Sequence, residues 1–389
     1  MKIFNYLFNK YGIPALFIGS TGIGIKTYLS KNGHSFVSSI ANIPSDLINT
    51  IFQIDNPEIP REKQTYLDAL TSSGYTVVSE TTKDEALQNI LIQRLFPSRH
   101  SQIQYTKNRL FKGSPEITLT RAEYTNKDNK KADYLQKPAK TETDKLKNAC
   151  IVALKGEENK DEFSVRHNGQ EQTDAFKELS RLREWCTEPK VKHVLGRHKL
   201  TLLSTDQTKD DDKWKEVIAG GWFKKEGDKK NWESQTFIKD IDTFLGDKKG
   251  TGISTTDEVT ETHISALKKQ CKEVLEKNFE RKNFYVTKDF IDGMENNNNK
   301  QTTVDEFQEA ALFCSEPITA KDYVEKAMQG NVDAKLDEKD KQDYCFVEEK
   351  PQPSDYSSIK TNDPMAGKTF WCAVRMVYAP KEKPVNSKS

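Results

Sequence analysis

The chain has 389 residues, of which 35% are hydrophobic and 31% are charged, and its mean hydropathy is −0.79. The apolar share is below the roughly 45% of typical globular chains, counted more broadly with glycine, so we expect small cores anchored by 19 Phe, 13 Tyr and 5 Trp. The 60 Lys and Arg balance the 59 Asp and Glu. This balance gives no general attraction to nucleic acid or anionic lipid, and we expect no nucleic-acid partner.

The N-terminus carries an apolar stretch. Residues 3–25 contain one charge, Lys10, and have the length of a membrane-spanning helix, which needs about 20 mostly apolar residues. We predict a signal anchor at 1–26 that contacts the membrane through residues 3–25. A cleaved signal peptide and a buried helix of a cytosolic protein are the alternatives. The run at 19–27 resembles a phosphate loop, but Ile25 interrupts the nucleotide-binding pattern.

Two helical segments repeat along the chain. Leu146–Val165 and Leu267–Val286 share Leu-Lys-x-x-Cys, with apolar residues at i, i+4, i+7 and i+8, which form one face of a helix. A second pair, Phe176–Pro189 and Val304–Pro317, follows them in the same order with its own helical stripe. Because proline disfavours helical geometry in the residue before it, each second helix should end near its cysteine.

Both members of the second pair close with an aromatic residue, Cys, Ser or Thr, Glu and Pro. The motif residues besides the cysteines are Trp185, Glu188, Pro189, Phe313, Glu316 and Pro317. A third match relates Tyr66–Leu91 to Val191–Ile218, and each reads as a short helix, a turn, a β-like run and a helix. The ordered recurrence of these motifs predicts tandem copies of one module.

We therefore predict a mainly α fold with minor short β segments, built from tandem diverged helical modules behind an N-terminal membrane segment. The predicted organisation is a signal anchor at 1–26, a partial module at 27–125, a linker at 126–144, a module at 145–245, a linker at 246–261, a module at 262–378 and a flexible tail at 379–389. The linkers are rich in Lys, Asn, Thr and Gly.

These motifs resemble the large paralogous families of uncharacterised proteins in haemotropic mycoplasmas. The resemblance is carried by the apolar N-terminus, both Leu-Lys-x-x-Cys motifs, Trp185–Pro189 and the Leu-Leu-Ser-Thr run at Leu202–Thr205 with downstream Trp214. It covers most of the chain after residue 60, although Phe313 replaces Trp in the later copy. The resemblance implies a membrane-associated, surface-exposed product with a role in host contact or antigenic variation, and it supplies no activity and no catalytic residue.

The cysteine count is six and even. The cysteines are Cys150, Cys186, Cys271, Cys314, Cys345 and Cys372. They show no paired-ligand zinc spacing. If the body is extracellular, equivalence between the copies predicts disulfides Cys150–Cys186 and Cys271–Cys314, which leaves Cys345–Cys372. Buried free thiols packed in the helix interface are the alternative.

No catalytic, cofactor-binding or metal-ligating constellation emerges from the sequence. Cys186, His193 and His198 have a spacing that matches no established ligand motif. We predict a non-enzymatic, single-pass membrane protein whose extracellular body contacts a host or other outside protein, with no identified small-molecule substrate. A cytosolic or inner-face helical scaffold is the second hypothesis, and a membrane-tethered hydrolase is the third.

Overall fold

The structure is a computed structural model that describes residues 62–96, 104–125, 129, 131–164, 172–206, 208–281, 305–332, 336–338, 340–343, 345–365 and 369–379. The predicted signal anchor, the phosphate-loop-like run and the tail beyond Ala379 lie outside these residues. Within them, no helix combines the length and the apolar character that a membrane crossing requires.

The fold is mainly α, as predicted, and residues 61–389 form one compact unit. Twelve α-helices lie in the described residues. They are α1 (Tyr66–Ser72), α2 (Asp84–Ile92), α3 (Lys140–Leu154), α4 (Asp174–Trp185), α5 (Val191–Arg197), α6 (Asp211–Ala219), α7 (Ile241–Leu245), α8 (Glu261–Leu275), α9 (Glu306–Phe313), α10 (Ala320–Lys326), α11 (Pro353–Ser357) and α12 (Phe370–Val377).

Ten short strands form five antiparallel pairs in the described part of the chain. The pairs are β1 (Lys63–Thr65) with β6 (Glu157–Asn159), β2 (Gln104–Tyr105) with β3 (Ile117–Thr118), β4 (Arg121–Thr125) with β5 (Lys131–Leu135), β7 (Lys225–Glu226) with β8 (Lys229–Lys230), and β9 (Asn331–Val332) with β10 (Tyr378–Ala379). In the longest pair, Arg121 faces Leu135 and Thr125 faces Lys131. These ribbons join loops, and the helices supply most of the hydrophobic core, to which Ile117 of β3 and Leu135 of β5 also contribute.

The matched sequence segments occupy equivalent places in two consecutive copies. We call residues 62–189 the first copy and residues 190–317 the second copy. Helices α1, α2, α3 and α4 of the first copy correspond in order to α5, α6, α8 and α9 of the second. In each copy the run after the first helix forms a β-bridge with the residue after the closing cysteine, Val77 with Thr187 and Leu202 with Ser315.

A shortened third copy follows at residues 318–379. Its first helix, α10, leads into β9, and its last helix, α12, leads into β10. The two strands pair antiparallel through Val332 and Tyr378, which repeats the bridge of the first two copies. Within the compact unit of residues 61–389, the described residues thus form two full copies and one reduced copy.

The predicted module boundaries at 145 and 262 fall in the middle of these copies. Both positions lie within the first six residues of a core helix, because α3 begins at Lys140 and α8 begins at Glu261. The copies begin instead near β1 and near α5, where the β-bridges meet.

The segments predicted as linkers carry secondary structure in their described residues. The first contains β5 and the first turn of α3, and the second contains two 3₁₀ turns and buried Ile253 and Val259. Glu258 stabilises the second segment by accepting hydrogen bonds from the backbone N–H groups of Ser254 and Thr255 and from Lys248 Nζ. Polar composition therefore reflects local capping here and does not mark a solvated linker.

Helix ends explain why the short helices form where they do. Side-chain oxygens of Thr65, Thr173, Thr260 and Thr319 accept hydrogen bonds from backbone N–H groups in the first turns of α1, α4, α8 and α10. These bonds satisfy N–H groups that a helix leaves without an internal partner. At the other end, Cys186 and Cys314 are the C-caps of α4 and α9, as the downstream prolines predict.

Candidate functional site

One disulfide lies within each of the three copies. Cys150 bonds to Cys186, Cys271 to Cys314 and Cys345 to Cys372. The first two are the pairs predicted from the repeat and the third is the pair that they leave, and the described residues include no free cysteine. All six side chains are buried. The first two bonds join α3 to the end of α4 and α8 to the end of α9, so the two full copies have the same covalent link at the same place. In the third copy, Cys372 lies within α12.

The lysine of Leu-Lys-x-x-Cys anchors the loop before the second helix of its copy. Lys147 Nζ donates to the Glu80 carbonyl at 3.3 Å. In the second copy, Lys268 Nζ donates to two backbone carbonyls at 3.1 Å and to the Asp211 carboxylate at 2.5 Å. The preceding leucine of each motif is fully buried. The motif therefore combines a core contact, a loop anchor and a disulfide in one helical turn.

The closing motif holds the same backbone bonds in both copies. Glu188 N–H donates to the Thr76 carbonyl and Glu316 N–H donates to the Thr201 carbonyl, each at 2.9 Å. The carbonyl of Cys186 in turn accepts from the Val78 N–H at 2.8 Å. These bonds leave the glutamate side chains at the surface, beside the N-terminus of α2 or α6.

The aromatic and proline positions of the motif have structural roles. Trp185 and Phe313 are buried, and Trp185 packs edge-on against Tyr105 with ring centroids 5.3 Å apart. The Pro189 carbonyl accepts from the Phe279 N–H at 2.8 Å, which draws the chain after α8 across the first copy. Pro317 occupies the corresponding position after Glu316, where the chain turns toward α10.

A groove of about 430 Å³ opens beside Glu188 in the first copy. Its floor is the β-bridge near Val77, one wall is the N-terminus of α2, and the other wall is the segment after α8. It is lined by Thr76, Val77, Ser79, Thr81, Thr82, Lys83, Glu85, Ala86, Asn89, Glu188, Pro189, Asn278, Phe279 and Glu280. Three glutamates against one lysine give the lining a formal net charge of −2.

The two copies differ at the third residue of the helix beside this glutamate. In the second copy that residue is Lys213, whose ammonium contacts the Glu316 carboxylate. In the first copy the equivalent residue is Ala86, which lines the groove with Glu188. The alignment is fixed by the next residue, since Leu87 and Trp214 are both fully buried. Because alanine has no ammonium group, the position that Lys213 Nζ occupies in the second copy is not filled by α2 in the first copy.

The Glu188 carboxylate has one weak neighbour in the groove. Asn278 Nδ2 donates to Glu188 Oε2 at 3.4 Å, across the groove from α2. Two nearby lysines, Lys190 and Lys192, both bond to Glu276, whereas Lys83 lines the groove itself. The shared contact lowers the pKa of Glu276 to about 2.

Sequence reasoning identified Glu188 and Pro189 as motif residues but missed the groove that they line. Asn278 and Phe279 come from a segment some 90 residues away, which no local pattern connects to the motif. Tyr66–Leu91 is two residues shorter than Val191–Ile218, so the sequence match alone did not place Ala86 opposite Lys213, and the helix positions in the structure were needed to do so.

The residues weighed as a metal site have other partners. Cys186 is disulfide-bonded, and the His193 ring accepts the Lys190 N–H at 3.4 Å. The fully buried His198 lies 2.7 Å from both the Gln93 carbonyl and the Tyr323 hydroxyl. Because a carbonyl only accepts, Nε2 carries the proton and Nδ1 accepts from Tyr323. In the described part of the chain, no group of three or more His, Cys, Asp or Glu is placed to hold a metal ion.

Burial controls the protonation of these histidines and of one carboxyl. It lowers the pKa of His193 to about 4 and that of His198 to about 3, so both rings are neutral at pH 7. Burial raises the pKa of Glu309 to about 7, against hydrogen bonds from Thr236 that favour the charged form. Glu309 lies in α9 and accepts from Thr236 N–H at 2.6 Å and from the Thr236 hydroxyl at 2.7 Å.

Comparison with known proteins adds no relative to this description. No family model, no curated protein and no solved structure matches the chain.

Proposed function

We propose that this chain is a non-enzymatic surface protein, tethered to the membrane by its N-terminal segment, whose rigid body contacts a host or other outside protein. The observation that carries the proposal is the set of three buried disulfides, one in each copy. Disulfides form and persist in oxidising surroundings such as the cell exterior and are rare in the cytosol. An extracellular body is therefore the setting that suits this chain.

The disulfides also supply the mechanism of display. Each one closes a loop of 27 to 43 residues, which reduces the entropy of the unfolded chain. The aromatic core surrounds them, and most of its large side chains are fully buried. Because the disulfides and the aromatic core stabilise the body from its interior, the surface that it presents keeps a fixed shape.

Surface residues are then free to differ between paralogues. Most ion pairs of the described residues join exposed side chains, for example Lys140 with Asp144 and Lys326 with Asp322. Such pairs contribute about 0–1 kcal/mol each, and surface substitutions usually change stability by less than about 0.5 kcal/mol. Contact faces can therefore diverge while the fold is retained, as antigenic or host-contact variation requires.

The proposal is tested on intact cells. A membrane-impermeant maleimide is applied before and after reduction, and trypsin then digests the exposed protein, followed by peptide mapping without reductant. We expect tryptic release of the body, no labelling before reduction, and linked peptides containing Cys150 with Cys186 and Cys271 with Cys314. Six thiols that react only after lysis, in a body protected from trypsin, would refute surface display and favour the cytosolic scaffold.

A further inference from the structure

We infer that the groove beside Glu188 binds a primary ammonium group, supplied by a lysine side chain of a partner polypeptide. The second copy contains the same contact in internal form, since Lys213 Nζ contacts the Glu316 carboxylate at the equivalent place. The first copy keeps the glutamate and has Ala86 in place of the lysine, and both residues line a groove of about 430 Å³. A lysine from another chain fits where Lys213 lies in the second copy.

The equivalence of the two positions rests on backbone bonds that do not involve either side chain. Glu188 and Glu316 are held by N–H bonds of 2.9 Å to the β-like run of their own copy. Ala86 and Lys213 are each the third residue of a nine-residue helix whose fourth residue is buried. Glutamate and helix therefore meet in the same arrangement twice, with Ala86 at the position of Lys213, and in the first copy Asn278 also contacts the glutamate.

The charge of the groove favours the same class of ligand. Glu85 and Glu280 line it together with Glu188, whereas Lys83 is its one basic lining residue. The residues Thr76, Ser79 and Thr81 also line the groove, and their hydroxyls can accept hydrogen bonds from an ammonium group, which has three donors. A lysine side chain of a partner segment can therefore reach Glu188 from the surface.

This inference rests on the proposed contact function for its biological role, but binding is measured on the purified, oxidised full chain. The probe is a fluorescein-labelled peptide, Gly-Thr-Lys-Thr-Gly, followed by fluorescence polarisation at low salt. Its twin carries acetyl-lysine, which has no charge. We expect saturable binding of the lysine peptide and an affinity for the twin that is lower by about two- to fivefold, as for other ion pairs between partly exposed side chains.

Two substitutions and one matched control locate the site. Glu188→Gln should weaken binding of the lysine peptide by about two- to fivefold, and Ala86→Lys should abolish binding by recreating the ion pair of the second copy. Glu316→Gln removes the equivalent carboxylate outside the groove and should leave the affinity unchanged. Ala86→Lys adds only a surface side chain, so it keeps the test decisive if Glu188→Gln fails to fold.

Equal affinity for the acetylated twin, an unaltered affinity in Ala86→Lys, or an equal loss in Glu316→Gln would overturn the inference. Spermidine tests the source of the ammonium group, and if it binds as tightly as the peptide the ligand is a diffusible amine and the partner-chain assignment is wrong. Peptide binding by a chain whose body proves intracellular would refute the proposed surface function and leave the groove inference standing. An extracellular body that does not bind the peptide would refute the groove inference and leave the proposed surface function standing.

Discussion

Replacing the buried carboxyl Glu309 by glutamine should change how the stability of the protein depends on pH. Glu309 is 2% exposed, and its pKa is raised from 4.5 to about 7 by burial. A group whose pKa is raised on folding binds its proton more tightly in the folded state. Its stabilising contribution is therefore complete below about pH 4.5 and is lost as the pH rises through about 7.

The shift sets the size of the effect. One pKa unit corresponds to about 1.4 kcal/mol. The rise from 4.5 to about 7 therefore makes the wild-type protein, with Glu309 ionised at pH 8, roughly 3 kcal/mol less stable than at pH 4, where Glu309 is protonated. Glutamine keeps the shape and one carbonyl acceptor for the Thr236 N–H, and it does not titrate. The free energy of unfolding of Glu309→Gln minus that of wild type should increase by about 3 kcal/mol between pH 4 and pH 8.

The assay is urea unfolding followed by circular dichroism at half-unit steps of pH, with the disulfides kept oxidised. The difference between variant and wild type is the useful quantity, because His193 and His198 titrate in an overlapping range and cancel in it. The matched control is Glu306→Gln, on the same helix but paired with Lys277 at the surface. A difference that stays constant from pH 4 to pH 8 would mean that the Thr236 bonds keep Glu309 ionised, and the reasoning would be refuted.

Three further predictions follow from the interior contacts. The double substitution of Cys271 and Cys314 by alanine should lower the free energy of unfolding by about 4 kcal/mol, given a separation of 43 residues; an unchanged urea midpoint would contradict this. Lys268→Met should lower the free energy of unfolding by about 2–3 kcal/mol, because it removes an ammonium group from two carbonyls and a carboxylate. Lys147→Met removes one bond at the surface and should lower it by less than about 0.5 kcal/mol. Equal losses in thermal unfolding would refute the loop-anchoring role of Lys268. His198→Leu should destabilise the protein by about 2–4 kcal/mol at pH 7, because it leaves the Tyr323 hydroxyl and the Gln93 carbonyl without their ring partner. The pKa of His198 is lowered on folding, so the free energy of unfolding of the variant should fall less steeply than that of wild type between pH 6.5 and about 3. An equally steep fall in acid denaturation would contradict this.

The local patterns of the sequence determined the helices, the ends of α4 and α9 and the pairing of the cysteines. These features depend on short-range periodicity, on the effect of proline on the preceding residue and on the equivalence of repeated motifs, all of which can be read from the order of residues alone. Leu146 and Leu267 are buried where the helical stripe predicts, and each copy forms its own disulfide.

Tertiary structure decided the limits of the copies, the protonation of Glu309 and the existence of the groove. The copies begin where distant β-bridges join their ends, such as Val77 with Thr187, so their limits depend on contacts across more than 100 residues. Glu309 looks like any exposed helical glutamate in sequence, and only packing against the segment of Thr236 buries it. The groove exists because the chain carrying Asn278 crosses the first copy at Glu188, opposite an alanine. Desolvation and cavity formation depend on which distant atoms surround a site, and such distances are fixed only when the whole chain has packed.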